Sequence, residues 1–240
     1  MYIDSGAPSL SLYFSSIKLS FLPRSSLRCQ TIDTVLIIGA GPGISVSAAR
    51  AFQNAGYNVA IASRTRHEKA DSSRRHFVFD AVKPGTVRAL FAEVTAALGP
   101  PKVIIYNAAH HIATEPEEPF GLDLDQAQEL MTVNAISTYA AAHEAVKGFE
   151  KTGPGSTFIM TGNKLKTVAL PGVLCFGMGK SAAAHMIQNA SNSYKNKGYK
   201  FYYADRRQPD GSHTVPVGGE AHTKLYLELV KDTEQRQWDC

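Results

Sequence analysis

The stretch that decides the fold is Val35–Ser45, VLIIGAGPGIS. An apolar run, Val35-Leu36-Ile37-Ile38, breaks into the turn Gly39-Ala40-Gly41-Pro42-Gly43, and Ile44 opens a segment with helical spacing. Across Ile44–Tyr57 the residues Ile44, Ala48, Phe52 and Ala55 fall on one side. A buried strand that passes through glycines straight into a helix begins a βαβ unit. Glycines at that turn let the backbone come close to a ligand. The helix behind them offers free N–H groups and a partial positive charge, an arrangement suited to a pyrophosphate. A glycine cluster alone is a weak signal; its place after the first strand of the unit gives it weight.

Working outward, short apolar strands alternate with helices. Strands are expected at NVAIAS (58–63), HFVFD (76–80), KVIIY (102–106), STFIMT (156–161) and KFYYA (200–204). Helices are expected at Pro84–Leu98, Leu124–Glu150, Ser181–Tyr194 and Glu220–Lys231. Such alternation predicts an α/β fold, a doubly wound parallel sheet of Rossmann type covered on both faces. A single domain over 31–240 accounts for all of it, with neither an internal repeat nor a second boundary.

Composition narrows the partners. In 240 residues the net charge of +4 is spread without runs of like charge, so neither a nucleic-acid nor a membrane surface is expected. Cys29, Cys175 and Cys240 lie too far apart for a disulfide ladder or a metal pattern. His110-His111 lacks a third ligand at metal spacing, so no metal is expected. No apolar run approaches the ~20 residues that span a bilayer. Residues 1–30 differ from the rest: Ser- and Leu-rich, with Lys18, Arg24 and Arg28 against one acid, Asp4. That balance resembles a mitochondrial presequence, while Asp4 and Pro8 suit a disordered extension. Cytoplasm is the default expectation.

The glycine spacing is not GxGxxG. It fits GxxxGxG, with Gly39 and Gly43 in place and Ser45 where the third glycine would stand. Further along come Asp80 at the end of the third strand, Tyr106-Asn107-Ala108-Ala109 after the fourth, and Val133-Asn134 in the long helix. In this order the set resembles the short-chain dehydrogenase/reductase family, over about Thr34 to Tyr203. The resemblance implies a nicotinamide cofactor held by Gly39, Gly41, Gly43, Ile44, Asp80, Asn107, Ala108 and Lys180. The second strand ends in Ala62-Ser63-Arg64, without the carboxylate that an NAD site offers the ribose. Ser63 and Arg64 can instead meet a 2′-phosphate, so NADP is expected over NAD.

The family's carbonyl reductases use Ser, Tyr, Lys and a helical Asn. The tyrosine gives a proton to the forming alkoxide, and the lysine one helical turn later lowers its pKa and bonds the nicotinamide ribose. Here CFGMGK (175–180) supplies Lys180 but sets Phe176 on the tyrosine. Asn163 stands where the serine belongs, with Asn134 as the helical Asn. Enoyl reductases of the superfamily place their tyrosine seven residues before the lysine, which is Val173 here. A phenyl ring cannot donate a proton, although Asn163 can still hydrogen-bond a carbonyl oxygen. His110, His111, Lys180, Tyr106 or water are candidate replacements.

The expected function is therefore an NADP(H)-dependent oxidoreductase with an altered proton-donor site, with catalytic candidates Lys180, Asn134 and Asn163. The substrate is a small molecule, and the family's helical interface implies a homo-oligomer. The alternative is a catalytically silent NADP(H)-binding sensor or assembly subunit. After the sixth strand, Asp205-Arg206-Arg207 and the turn Pro209-Asp210-Gly211 replace the family's Pro-Gly. No seventh strand is readable, which would leave a sheet edge bare unless a partner covers it.

Overall fold

The computed structural model describes Met1 and residues 32–41, 43–65, 74–205 and 219–240. Pro42, Arg206, Arg207, the Pro209–Gly211 turn and the segment 2–31 lie outside the described residues. The fold is carried by Ile32–Cys240.

Strands β1 (Thr34–Ile38), β2 (Asn58–Ser63), β3 (Arg74–Val78), β4 (Pro101–Tyr106), β5 (Thr157–Thr161) and β6 (Lys200–Ala204) form one sheet in the order β3-β2-β1-β4-β5-β6. Every pairing is parallel. Helices α1 (Ile44–Asn54), α2 (Val87–Leu98), α3 (Leu124–Met131), α4 (Ser137–Thr152), α5 (Leu174–Ser193) and α6 (Gly219–Lys231) cover its faces. The expected doubly wound sheet is present.

Period-two alternation divides the strand side chains between two cores. Leu36, Ile38, Ile104, Tyr106 and Phe158 face α2, α4 and α5, packed with Leu90, Ala141, Phe149 and Ile187. Val35, Ile37, Val103, Ile105 and Ile159 face α1 and α6, packed with Phe52, Tyr226 and Leu229. Being buried on both sides is why these strands read as continuous apolar runs.

Chain order runs outward from β1 to β3 and then returns to β4 beside β1. The crevice at the carboxyl ends of β1 and β4 is thus the topological switch point, where sheets of this kind bind ligands.

Three details differ from the sequence expectations. The long helix expected from Leu124 is interrupted by a π-helical turn over Thr132–Ile136, between α3 and α4. Helix α5 begins at Leu174 rather than Ser181, so CFGMGK forms its first turns. The outer edge of β6 is also not bare. Tyr203 N–H donates to the Trp238 carbonyl at 2.7 Å, Cys240 N–H donates to the Tyr203 carbonyl at 3.2 Å, and Asp239 forms a parallel bridge with Tyr203. The chain's own residues occupy that edge.

Lys200 links β6 to α6. Its side chain is buried (1% exposed), and Nζ donates to the carbonyls of Leu229, Val230 and Asp232 at 3.0, 2.8 and 2.6 Å. These are carbonyls at the helix C-terminus, where a cation complements the dipole. Charge-assisted bonds contribute about 1.5–3 kcal/mol each. Burial also lowers the Lys200 pKa from 10.5 to about 8, so holding the charge offsets part of these bonds. Lys200→Met, which leaves the three carbonyls without this donor, is expected to lower the unfolding free energy by about 1–3 kcal/mol, read as an earlier urea midpoint. An unchanged midpoint would mean that α6 is held by its apolar face alone.

Candidate nucleotide-binding and active site

The floor of the crevice is built from backbone. Gly39 has φ +92°, and a Cβ there would run into the Ala108 backbone nitrogen, so only glycine allows the loops after β1 and β4 to touch. Asn107 fastens that contact. Its N–H donates to the Ile38 carbonyl at 2.7 Å, and its side-chain amide donates to the Gly39 carbonyl at 2.9 Å. Its Oδ1 accepts from the Thr161 hydroxyl at 3.0 Å, which also pairs with the Tyr226 hydroxyl at 2.8 Å. Asn107 therefore ties the ends of β1, β4 and β5 together.

Gly43 caps α1 at φ +104°, with no side-chain cap bond and no acid in the first turn. No side chain at the cap position therefore satisfies the first-turn N–H groups, an arrangement that suits an anion. Ser45 is buried, and its hydroxyl turns back to the Gly41 carbonyl. The substitution at the third glycine position thus adds an internal hydrogen bond without filling the crevice.

A cavity of about 310 Å³ opens on this floor, lined among others by Gly39, Gly41, Ser63, Arg64, Asp80, Asn107 and Ala108. These positions come from the ends of four strands, β1, β2, β3 and β4, and the fold brings them together. Gly43 and Ile44 sit at the start of α1, outside the lining. Arg64 is exposed at the end of β2. The neighbouring Ser63 hydroxyl donates to the Thr65 carbonyl at 2.9 Å and lies 2.8 Å from His76 Nε2. Asp80 lies just past β3, with Oδ1 accepting from the Val82 N–H at 3.3 Å.

Lys180, Asn134 and Asn163 lie apart from that lining. Lys180 is 3% exposed and donates to the Thr161 carbonyl at 3.1 Å. Its ammonium sits 5.4 Å from the centroid of the Phe176 ring, one turn earlier on α5. Burial lowers its pKa from 10.5 to about 8, against an opposing pull from Asp205. The His111 ring is 5.3 Å from that of Phe176. The aromatic at this position therefore packs between a cation and an imidazole.

Asn134, fully buried in the π turn, donates to the carbonyls of His110 at 2.7 Å and Leu130 at 2.9 Å, and accepts from the His110 N–H at 3.3 Å. It anchors the loop after β4. A Cβ on Gly179 would stand 2.6 Å from the Asn134 Cβ, so the glycine before Lys180 sets how closely α5 crosses the π turn. Asn163 uses Oδ1 to accept from the Leu165 N–H at 3.0 Å, which caps a short 3-10 turn. Its backbone is held at both groups by the Tyr203 hydroxyl, at 3.1 and 3.0 Å. Its NH₂ end is not used in that cap.

Sequence reasoning missed several neighbours. Glu129 lines the cavity and pairs with His110 at 3.4 Å. It is five positions before Asn134, an offset that a straight α-helix puts on different faces and a π turn reduces. Lys166 follows Asn163 closely; its Nζ pairs with Asp239 at 2.6 Å and lies 4.9 Å from the Trp238 ring centroid. That contact clamps the loop after β5 to the pairing residues beyond α6. A larger apolar groove, about 660 Å³, runs between Pro116, Pro119 and the loop 165–174 and reaches Met178 on α5.

A family pattern described as Enoyl-(Acyl carrier protein) reductase matches residues 39–202. "Short chain dehydrogenase/reductase dmxR12" of Cryptosporiopsis sp. (strain 8999) is 37% identical over 218 residues, covering 85% of this chain and 89% of that protein. Among solved structures, a Phe-to-Trp variant of actinorhodin polyketide ketoreductase with NADPH superposes with TM-score 0.72 at 12% identity, covering 83% of this chain and 90% of that one. A Tyr-to-Phe variant of ElxO with NADPH bound superposes with TM-score 0.73 at 15% identity, covering 87% and 97%. At those identities the structures show a shared fold.

Proposed function

The chain belongs to the short-chain dehydrogenase/reductase family of oxidoreductases, and from that premise we propose that it is an NADP(H)-dependent oxidoreductase with an altered proton-donor site. The observation that carries the proposal is the cavity in which Gly39 and Gly41 meet Ser63, Arg64 and Asp80. Three features of the residues present support this cofactor. The glycine floor admits no side chain at Gly39, and α1 presents an uncapped N-terminus. The end of β2 carries a guanidinium and no carboxylate.

In this reading Gly39, Gly41, Gly43 and Ile44 hold the pyrophosphate, Ser63 and Arg64 the 2′-phosphate, and Asp80 the adenine amino group. Asn107 and Ala108 form the floor beneath the nicotinamide half, and Lys180 bonds its ribose. When bound, the dihydronicotinamide supplies a hydride to a substrate carbonyl carbon. Asn134 holds the His110 loop in place, and the Asn163 NH₂ orients the carbonyl oxygen. The two NADPH-bound structures that share this fold support a nicotinamide cofactor. Ile136 and Tyr139, exposed on the π turn and α4, support a homo-oligomer assembled through these helices.

Cofactor choice is tested at Arg64. A charge-assisted bond to phosphate contributes about 1.5–3 kcal/mol, so Arg64→Ala is expected to reduce the preference for NADPH over NADH by about 10–100-fold. Fluorescence titration with each nucleotide reads the ratio. An unchanged ratio would remove the argument for NADP.

A further inference from the structure

We propose that Asp205 and Lys180 form the proton-holding pair of this site: Asp205 keeps the buried ammonium charged, and that ammonium supplies the proton which Phe176 cannot. The proposal rests on the oxidoreductase reading above.

The sheet places the pair. Thr161 at the end of β5 is in register with Ala204 at the end of β6, and the Gly162 N–H donates to the Ala204 carbonyl at 2.8 Å. Asp205 therefore follows the strand end beside the residue whose carbonyl receives Lys180 Nζ. Its own N–H is fixed by the Cys240 carbonyl. Both side chains belong to buried residues, Asp205 8% and Lys180 3% exposed. An ionised group in such surroundings costs several kcal/mol unless an opposite charge accompanies it. Asp205 acts in that sense on Lys180, raising the pKa that burial pulls down.

Among the described residues, the other charged and titratable groups on the surrounding elements do not supply that countercharge. Lys166 is paired with Asp239, and Glu129 with His110. The Tyr203 hydroxyl is bonded to the Asn163 backbone and that of Tyr226 to Thr161. Lys164 and His111 carry no negative charge, and neither do Cys175 as a thiol and His185 on α5.

The step balances as follows. A bound dihydronicotinamide would supply the hydride: its C–H bond would break as the new C–H bond forms at the carbonyl carbon, the C=O π pair would move to oxygen, and the ring would leave as the oxidised nicotinamide. One N–H bond at Lys180 Nζ breaks as the O–H bond forms, giving an alcohol and a neutral amine. The amine then takes a proton from water, and Asp205 remains a carboxylate throughout.

The test is side-chain NMR on isotope-labelled lysine in the cofactor-free protein, with Lys180→Met identifying the resonance. Lys180 is expected to titrate near pH 8. Asp205→Asn should lower that midpoint by about one unit, and Asp205→Glu should restore it. The alkaline limb of kcat/KM for NADPH-dependent carbonyl reduction should move by the same amount. A midpoint and limb that stay in place in a folded Asp205→Asn protein with normal NADPH affinity would overturn the proposal. Should that variant not fold, Asp205→Ser is read in its place, with the same expected fall in the Lys180 midpoint, and an unmoved midpoint would overturn the pairing. Coupled titration without reduction of any carbonyl substrate would confirm the charge pair but overturn proton delivery together with the oxidoreductase reading.

Discussion

Phe176→Tyr is expected to raise NADPH-dependent carbonyl reduction by about 10²-fold or more, since a positioned general acid contributes about 10²–10⁴. The substitution adds one hydroxyl to a ring already set one turn from Lys180, with the ammonium 5.4 Å from the ring centroid. A tyrosine there would ionise more easily beside that cation. The ring has room on its outer side, because Phe176 is partly exposed. The gain should appear in kcat, with NADPH affinity little changed, since the cavity lining is untouched. Wild-type rates in a folded, NADPH-binding variant would show that the remaining geometry is not that of a carbonyl reductase.

Lys180→Met is expected to reduce turnover by about 10²–10⁴, the contribution of one positioned acid, without weakening the fold at neutral pH. The two effects separate because the ammonium is held at a cost. Its pKa falls from 10.5 to about 8 on folding, chiefly through burial, which corresponds to about 3 kcal/mol at pH 7. Between about pH 8 and 10.5 the unfolded chain keeps a proton that the folded chain has released. Wild-type stability therefore gains from this group as pH rises through that window and gains nothing below it. Methionine removes both the cost and the pH dependence, although Asp205 loses its countercharge and offsets part of the gain. Subtracting urea-unfolding curves of variant and wild type across pH isolates this contribution from other groups. A variant that is both inactive and much less stable at pH 7 would mark Lys180 as a packing residue.

Much of this site was legible in local sequence, and the reason is geometric. β1, the glycine turn and α1 are contiguous, so their pattern carries the fold and the glycine floor of the crevice together. Asp80, Asn107 and Asn134 each follow or lie within an element whose type was readable. What escaped depends on distant partners. The π turn around Asn134 has no periodicity of its own, and it brings Glu129 and His110 to the cavity. Asp205 read only as a departure from Pro-Gly, because its burial arises from β5–β6 register and from residues beyond α6. The start of α5 was placed late because glycines at 177 and 179 weaken the helical signal, although Gly179 is there to let Asn134 approach.

The central claim, a nicotinamide site that still transfers hydride after losing its tyrosine, is tested most directly by a single-turnover measurement. Wild-type protein carrying stoichiometric NADPH is mixed with a panel of aldehydes, ketones and enones while the nicotinamide absorbance is followed. The account predicts that at least one member consumes the bound NADPH in the wild type, and does so faster in Phe176→Tyr. NADPH that stays bound and unoxidised in both proteins across the panel would contradict it.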